Sequence, residues 1–138
     1  MTPETSRPAV RWDRSQFKTG DDLDAPCPAS IDITGRMRAL VFGPMVVLPA
    51  GAWRLQVRFA LSVEAALHDY ILQFVHGDSL AEQRLSPSGT GEYVVEIDNA
   101  HTQDALAALR LWLAEPAFHG TLHFLGAEAH PLPDPTPS

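Results

Sequence analysis

Alternating hydrophobic and polar residues dominate the centre of the chain. From Trp53 to Leu61 every odd position is apolar, while the even positions are Arg, Gln, Arg and Ala. A β-strand sends these two sets to opposite faces, one toward a core and one toward solvent, whereas a helix spreads them around its circumference. The segment 53–61 is therefore predicted to be a long strand with one buried face, and Trp53 belongs to that face.

Shorter segments repeat this pattern and are separated by Gly, Pro, Asn and Asp. Strands are predicted at 31–33, 39–42, 45–48, 53–61, 70–75, 93–97, 109–113 and 120–129. Short strands divided by such turn residues indicate a sandwich or a barrel. The segments 62–72 and 102–113 are rich in Ala and Leu and are also compatible with helix. We expect one helical turn at 103–107, because Thr102 is a suitable N-cap.

The two ends of the chain lack this alternation. Residues 1–30 mix prolines with charges and are predicted to form an irregular N-terminal arm, pinned to the domain by Trp12 and Phe17. Residues 131–138 read PLPDPTPS, and are predicted to form an extended Pro-rich tail because proline has no backbone donor. The β-sandwich domain is expected to span 31–130.

Length and charge narrow the classes of function. The 138 residues are 45% hydrophobic and 20% charged, with a net charge of −7, which is typical of one folded domain. Nucleic acids and anionic membranes both attract basic surfaces, so neither partner is expected. The chain has no apolar run of the kind found in a secretory signal or a membrane span. A soluble, cytoplasmic protein is therefore expected.

Sequence motifs of enzymes are absent, including the G-x-S-x-G elbow, the phosphate loop and H-E-x-x-H. Cys27 is the only cysteine, which excludes an intramolecular disulfide and a cysteine-based zinc site. His119 and His123 are four residues apart, as are Glu92 and Glu96. On a strand each pair is separated by roughly 13 Å, too far to share a metal ion or act as a glycosidase pair. We expect no catalysis, metal or cofactor, although loop oxygen donors leave a structural calcium ion open.

The more informative feature is an aromatic residue beside an arginine. If the leucines at 109–113 face the core, Arg110 and Trp112 point away from it. Proteins hold saccharides by stacking a ring on the apolar C–H face and bonding the hydroxyls with polar side chains. The predicted ligand-binding residues are Trp112, Arg110, Arg54, Arg58 and Tyr70, each expected on the exposed face of its strand. The competing interpretation is that a second layer or the N-terminal arm covers Trp112.

Two segments are similar to bacterial jelly-roll domains. In 43–59, GPMVVLPAGAWRLQVRF, the pattern G-P-apolar-x-x-L-P-x-G-x-aromatic-R precedes an alternating strand. The second segment comprises LRLWL at 109–113 and FHGTLHFLG at 118–126. These domains resemble carbohydrate-binding modules, which are often attached to glycosyltransferases in bacteria. The resemblance implies a jelly-roll-like, antiparallel β-sandwich, and Arg110 and Trp112 as residues of its binding site.

Three hypotheses follow. The chain is predicted to be all-β and to bind a saccharide or glycoconjugate without catalysis, through an exposed aromatic and arginine sheet face. The alternative is a protein-interaction or assembly domain, a homodimer that uses the same patch, because Trp and Arg dominate binding hot spots. A small sugar-active enzyme is the third, and it requires two carboxylates about 5–10 Å apart in a cleft.

Overall fold

Two antiparallel β-sheets pack face to face. The computed structural model describes residues 8–133, which form nine strands and two short 3-10 turns. The strands are β1 (Val10–Trp12), β2 (Ile31–Asp32), β3 (Arg38–Leu48), β4 (Gly51–Leu61), β5 (Tyr70–His76), β6 (Ser79–Leu85), β7 (Gly91–His101), β8 (Ala105–Leu113) and β9 (Thr121–Pro131). Within the described residues no helix is long and apolar enough to cross a membrane. The predicted all-β, antiparallel sandwich is confirmed.

The two sheets differ in their strand order. Sheet A has the order β1-β9-β4-β7, and β2 also pairs with β9. Sheet B has the order β3-β8-β5-β6. In sheet A, β4 pairs along its whole length with β7, from Gly51 opposite His101 to Leu61 opposite Gly91, and also with β9 on its other side. The long central strand is therefore the one whose alternation is strictest in the sequence.

The core consists of the side chains between the sheets. From Trp53 to Leu61 on β4 the odd positions are buried and the even positions are not, as the alternation predicts, and Trp53 is fully buried. Sheet B supplies the odd positions of β8 and the even positions of β5. Each large side chain buried in this way stabilises the fold by about 1.5–3 kcal/mol.

The N-terminal arm closes one open edge between the sheets. β1 extends sheet A by pairing with β9, and Lys18 then bridges to Phe42 on β3 of sheet B. Between these two contacts the Phe17 side chain packs in the core, edge-on against the ring of Phe124, with the two ring centroids 4.7 Å apart. Trp12 and Phe17 are both buried, as predicted. Residues 1–7 of the arm lie outside the described residues.

Several elements differ from the expectations. The predicted strands 39–42 and 45–48 are one strand, β3, with register shifts in its ladder with β8. The helical turn expected at 103–107 is wrong, because β8 starts at Ala105 and pairs on both sides. A 3-10 turn occurs instead at Ala65–Leu67. β1 and β6 were not predicted. β9 continues to Pro131, one residue into the predicted tail, and 134–138 lie outside the described residues.

Removal of the Phe17 ring is expected to destabilise the sandwich. The side chain is 0% exposed, so Phe17→Ala leaves a cavity and should lower the free energy of unfolding by about 3–5 kcal/mol. Phe118→Ala is the matched control, since that ring is 83% exposed and its loss should change stability by less than about 0.5 kcal/mol. Urea denaturation of both variants measures the difference. Equal effects would contradict the role of Phe17 in closing the edge.

A buried histidine lies at the opposite end of the sandwich from the loop that contains Phe118. His76 donates a hydrogen bond from Nε2 to the carbonyl oxygen of Leu48 at 3.1 Å, and its buried Nδ1 has no hydrogen-bond partner among residues 8–133. The ring centroids of His76 and His101 are 5.4 Å apart. The negative charge of Asp104 also affects the protonation of His76. Burial, followed by the charge of His101, lowers the pKa of His76 below its ordinary value, against the effects of the Leu48 hydrogen bond and Asp104.

Folding should therefore depend on pH through His76. A folded-state pKa below the unfolded one gives stability that is present above about pH 6.5 and lost as the pH falls through the folded pKa. Thermal melts at neutral and mildly acidic pH should show a smaller acid-induced loss for His76→Gln than for the wild type. The pKa of His101 is raised, so His101 changes stability with pH in the opposite direction to His76. His101 is present in both proteins, and its contribution therefore largely cancels when the two are compared. The same loss in both proteins would show that His76 does not titrate as described.

Candidate functional site

The outer face of sheet B carries the aromatic and arginine residues of β8. The odd positions of 109–113 are buried, so the alternation along β8 turns Arg110 and Trp112 outward. Arg110 is exposed and Trp112 is half-buried. Within residues 8–133 neither the N-terminal arm nor a second layer buries the ring completely, and part of the indole stays exposed.

The strand register surrounds Arg110 with ligand-type side chains. It lies between Phe42 of β3 and Gln73 of β5, and Gln73 is opposite Glu82 of β6. Neighbours across strands on one face have Cβ atoms about 4.5–5.5 Å apart. These residues and Trp112 therefore form one continuous surface, here named the platform: Phe42, Gln73, Glu82, Arg110 and Trp112.

A chain of hydrogen bonds fixes the middle of the platform. The indole Nε1–H of Trp112 donates to Oε1 of Gln73 at 2.9 Å, and Nε2 of Gln73 donates to Oε1 of Glu82 at 2.8 Å. The first bond orients the ring, and the second fixes which way the amide points. The ring therefore offers a ligand its face, and the Glu82 carboxylate keeps lone pairs free to accept from hydroxyl groups.

Arg110 is the platform residue whose side-chain N–H donors are all available to a ligand. Within residues 8–133 its guanidinium takes part in no hydrogen bond or ion pair, and the neighbouring Phe42 ring is half-buried. A guanidinium presents five N–H donors in a planar fork. The platform thus combines an aromatic face, a donor fork and a carboxylate acceptor.

The same sheet face becomes apolar toward the start of β8. Val47 and Leu106 are direct cross-strand neighbours, as are Val75 and Leu80. Val47, Leu80 and Leu106 are about half exposed, whereas Ala108 between these rows is buried although it faces outward. The outward side chains here are packed closely enough to cover Ala108, which makes a continuous hydrophobic patch next to the platform.

Tyr70 does not belong to this face. Its side chain is fully buried, and its hydroxyl donates to the carbonyl oxygen of Ala65 at 2.7 Å. Burial raises the pKa of the phenol above its ordinary value. The expectation that Tyr70 is exposed is wrong, because the even positions of β5 face the core, where a local carbonyl satisfies the hydroxyl.

Arg54 and Arg58 are exposed, but on the outer face of sheet A, on the other side of the sandwich from Trp112. Arg54 forms a two-pronged ion pair with Asp98 of β7, at 2.9 and 3.1 Å. The hydrogen bond from Arg54 holds the pKa of the Asp98 carboxyl below its usual value. The predicted set of five residues is therefore divided among two outer faces and the core.

Other reactive groups are scattered. Within the described residues no three His, Cys, Asp or Glu side chains are grouped so that they could hold a metal ion. Burial raises the pKa of the Cys27 thiol to about 11, so this cysteine is a thiol, not a thiolate, at neutral pH.

Three platform residues were not predicted from the sequence. Phe42 lies on a predicted strand, and its outward direction follows only from the register with β8. Gln73 and Glu82 acquire their roles from each other across β5 and β6, and β6 itself has little hydrophobic alternation. Phe118 is the most exposed large hydrophobic residue among those described, and in the sequence only the similarity to jelly-roll domains points to it.

Solved structures with a similar fold include several carbohydrate-binding modules. One is a family 61 module in complex with β-1,4-galactotriose, at TM-score 0.57 and 13% identity over 91% of this chain and 89% of that chain. Another is the C-terminal family 6 module of a marine laminarinase from Zobellia galactanivorans, at TM-score 0.55 and 9% identity, covering 89% and 99%. A third is a family 36 module of a xylanase from the hindgut metagenome of Trinervitermes trinervoides, at TM-score 0.53 and 8% identity, covering 91% and 99%.

These likenesses establish the fold alone. The described residues form a two-sheet antiparallel sandwich resembling the jelly rolls of carbohydrate-binding modules. Neither a protein-family model nor a curated protein matches the sequence. Attachment to a glycosyltransferase stays a prediction of the sequence resemblance.

Proposed function

We propose that this chain binds saccharides without catalysis, on the platform of sheet B. The observation that carries the proposal is the chain of hydrogen bonds from Trp112 through Gln73 to Glu82. It holds an accessible ring and an acceptor in fixed positions beside the unpaired Arg110. The likeness to modules that include one bound to β-1,4-galactotriose supports the same class of ligand.

In this proposal each platform residue has a distinct role. One sugar ring stacks its C–H face on Trp112, whose own N–H is already used by Gln73. The Arg110 fork donates to ring or hydroxyl oxygens, and Glu82 accepts from hydroxyls. Phe42 extends the apolar floor on the other side of Arg110, so that a second sugar unit has a surface to rest on.

The platform suits binding better than hydrolysis. A glycosidase needs two carboxyl groups about 5–10 Å apart, and Glu82 is the only carboxylate among the five platform residues. The surface is also a sheet face and not a cleft, so it does not exclude water from a bound glycosidic bond. Both features support recognition without cleavage.

Loss of the Trp112 ring should abolish most of the binding. Trp12 and Trp53 are buried, so a change in tryptophan fluorescence on adding saccharide would report mainly Trp112. In a panel that includes β-1,4-galactotriose, calorimetry should show binding weakened about tenfold or more by Trp112→Ala, equivalent to roughly 1.4 kcal/mol. Arg54→Gln, on the opposite face, is the control and should bind as the wild type does. A wild type that binds no saccharide, or a Trp112→Ala that binds normally, would refute the proposal.

The hydrophobic patch supports a second candidate function, self-association through sheet B. Val47, Leu80 and Leu106 are exposed aliphatic side chains on one face of a chain whose net charge is −7. Because like charges oppose contact elsewhere on the molecule, two copies meet with least repulsion through this patch. A dimer formed there would cover part of the platform.

A charge introduced at Leu106 in the hydrophobic patch tests self-association separately from saccharide binding. Leu106→Glu places a carboxylate in the patch and should shift a wild-type dimer to monomer, as measured by analytical ultracentrifugation over a dilution series. Leu67→Glu is the matched control, since Leu67 is equally aliphatic and more exposed but lies in the 3-10 turn Ala65–Leu67, outside the patch. A wild-type chain that remains monomeric, or a dimer that both substitutions disrupt equally, would rule out self-association through this patch.

A further inference from the structure

A groove lies on the outer face of sheet A, remote from the platform. It forms where β1 and β4 flank β9, and it encloses about 280 Å³. Its polar lining consists of Arg11, Asp13, Gln56, Arg58 and Glu128. These five residues and Gly126 are here named the β9 groove.

A bulge in β9 shapes the floor of this groove. The register between β4 and β9 shifts beside Arg58, which is opposite Gly126. Gly126 has a φ of +115°, a conformation that residues with a side chain rarely adopt, and a Cβ there would come within 3.1 Å of the Trp12 carbonyl oxygen. The floor beside Arg58 is therefore bare backbone, and a ligand can approach it closely.

Two guanidinium groups in the groove are available. Within residues 8–133 the guanidinium groups of Arg11 and Arg58 form no hydrogen bond or ion pair, whereas that of Arg54 on the same face is paired with Asp98. Both lie in the groove although the chain as a whole carries a net charge of −7. Paired forks of this kind match the geometry of a carboxylate.

The acceptors in the groove determine what else the ligand carries. Asp13 and Glu128 balance the two arginines, so the groove has no net formal charge. Glu128 already accepts from Nε2 of His130 at 3.0 Å, and Gln56 approaches Glu96 at 3.4 Å. A ligand that is only an anion would meet no net positive charge in the groove, whereas a ligand that also bears hydroxyl groups can donate to the two carboxylates.

We propose that the β9 groove binds an acidic saccharide, a sugar unit that carries one carboxylate, as a uronic acid does. The forks of Arg11 and Arg58 take the carboxylate, and Asp13, Gln56 and Glu128 take the hydroxyls. The class of ligand rests on the proposed function, but the site is separate from the platform and on the other sheet. A test can therefore refute binding at the β9 groove without refuting binding at the platform, and the reverse.

The test compares acidic and neutral ligands on matched variants. Oligogalacturonate and β-1,4-galactotriose are titrated into ¹⁵N-labelled protein, and the amide shifts of Gln56 and Gly126 report the groove. The double variant Arg11→Gln/Arg58→Gln should weaken oligogalacturonate binding at these amides by about tenfold or more. Arg54→Gln removes one positive charge from the same face, and should leave this binding within about twofold of the wild type, since its guanidinium is already paired.

Each outcome decides the inference. The site would be established if oligogalacturonate binds at the groove, if Trp112→Ala keeps this binding and if the double variant loses it. This holds even if the platform binds nothing. Unchanged binding in the double variant would overturn it, as would an equal loss in Arg54→Gln, which would indicate a general charge effect. Displacement by inorganic phosphate as effective as by oligogalacturonate would also overturn it, because hydroxyl recognition would then be absent. Arg11 and Arg58 are exposed, and unchanged thermal melts would show that the double variant is folded.

Discussion

The alternation of β4 is the constraint on which the rest of the sandwich depends. Because β4 pairs with both β7 and β9, its register decides which side chains of three strands face the core. A slip of one residue would turn the buried set Trp53, Leu55, Val57, Phe59 and Leu61 to solvent. At about 1.5–3 kcal/mol for each large side chain, that loss is comparable with the entire stability of a domain, about 5–15 kcal/mol.

The same constraint gives the molecule two unlike outer faces. With its odd positions buried, β4 presents Arg54 and Arg58 on the outside of sheet A, among carboxylates of β7 and β9. β8, also with the odd positions of 107–113 buried, presents Arg110 and Trp112 on the outside of sheet B, beside Phe42 and Gln73 and next to aliphatic side chains. A charged face and an aromatic–aliphatic face thus follow from alternation alone, once the strands are assigned to sheets. Their chemistry differs accordingly: ion pairs and a polar groove on one, a stacking surface on the other.

Properties that depend on one strand could be read from the sequence, and properties that depend on strand order could not. The β4 alternation, the buried Trp53 and the outward Arg110 and Trp112 are local. Whether Arg54 joins Trp112 depends on which strands share a sheet, and the sequence has no signal for that. The helical turn expected at 103–107 failed because pairing with β3 and β5 outweighed the helix propensity of Ala and Leu. β6 was missed because most of this edge strand lies in solvent and needs little hydrophobic alternation.

The opposite placement of the platform and the β9 groove also constrains what such a protein can do. Two sheets lie between these sites, about 10 Å apart in their backbones, so a short saccharide that rests on Trp112 cannot reach Arg58. A sheet face offers each ligand only one side of a ring, and a single contact of that kind is weak. Strength then comes from several weak contacts on one polymer, since a second contact is made at a high effective concentration. A chain with the two proposed sites, one on each face, would be suited to attach to, or to bridge, long glycans, and that role would require no catalytic pair of carboxylates.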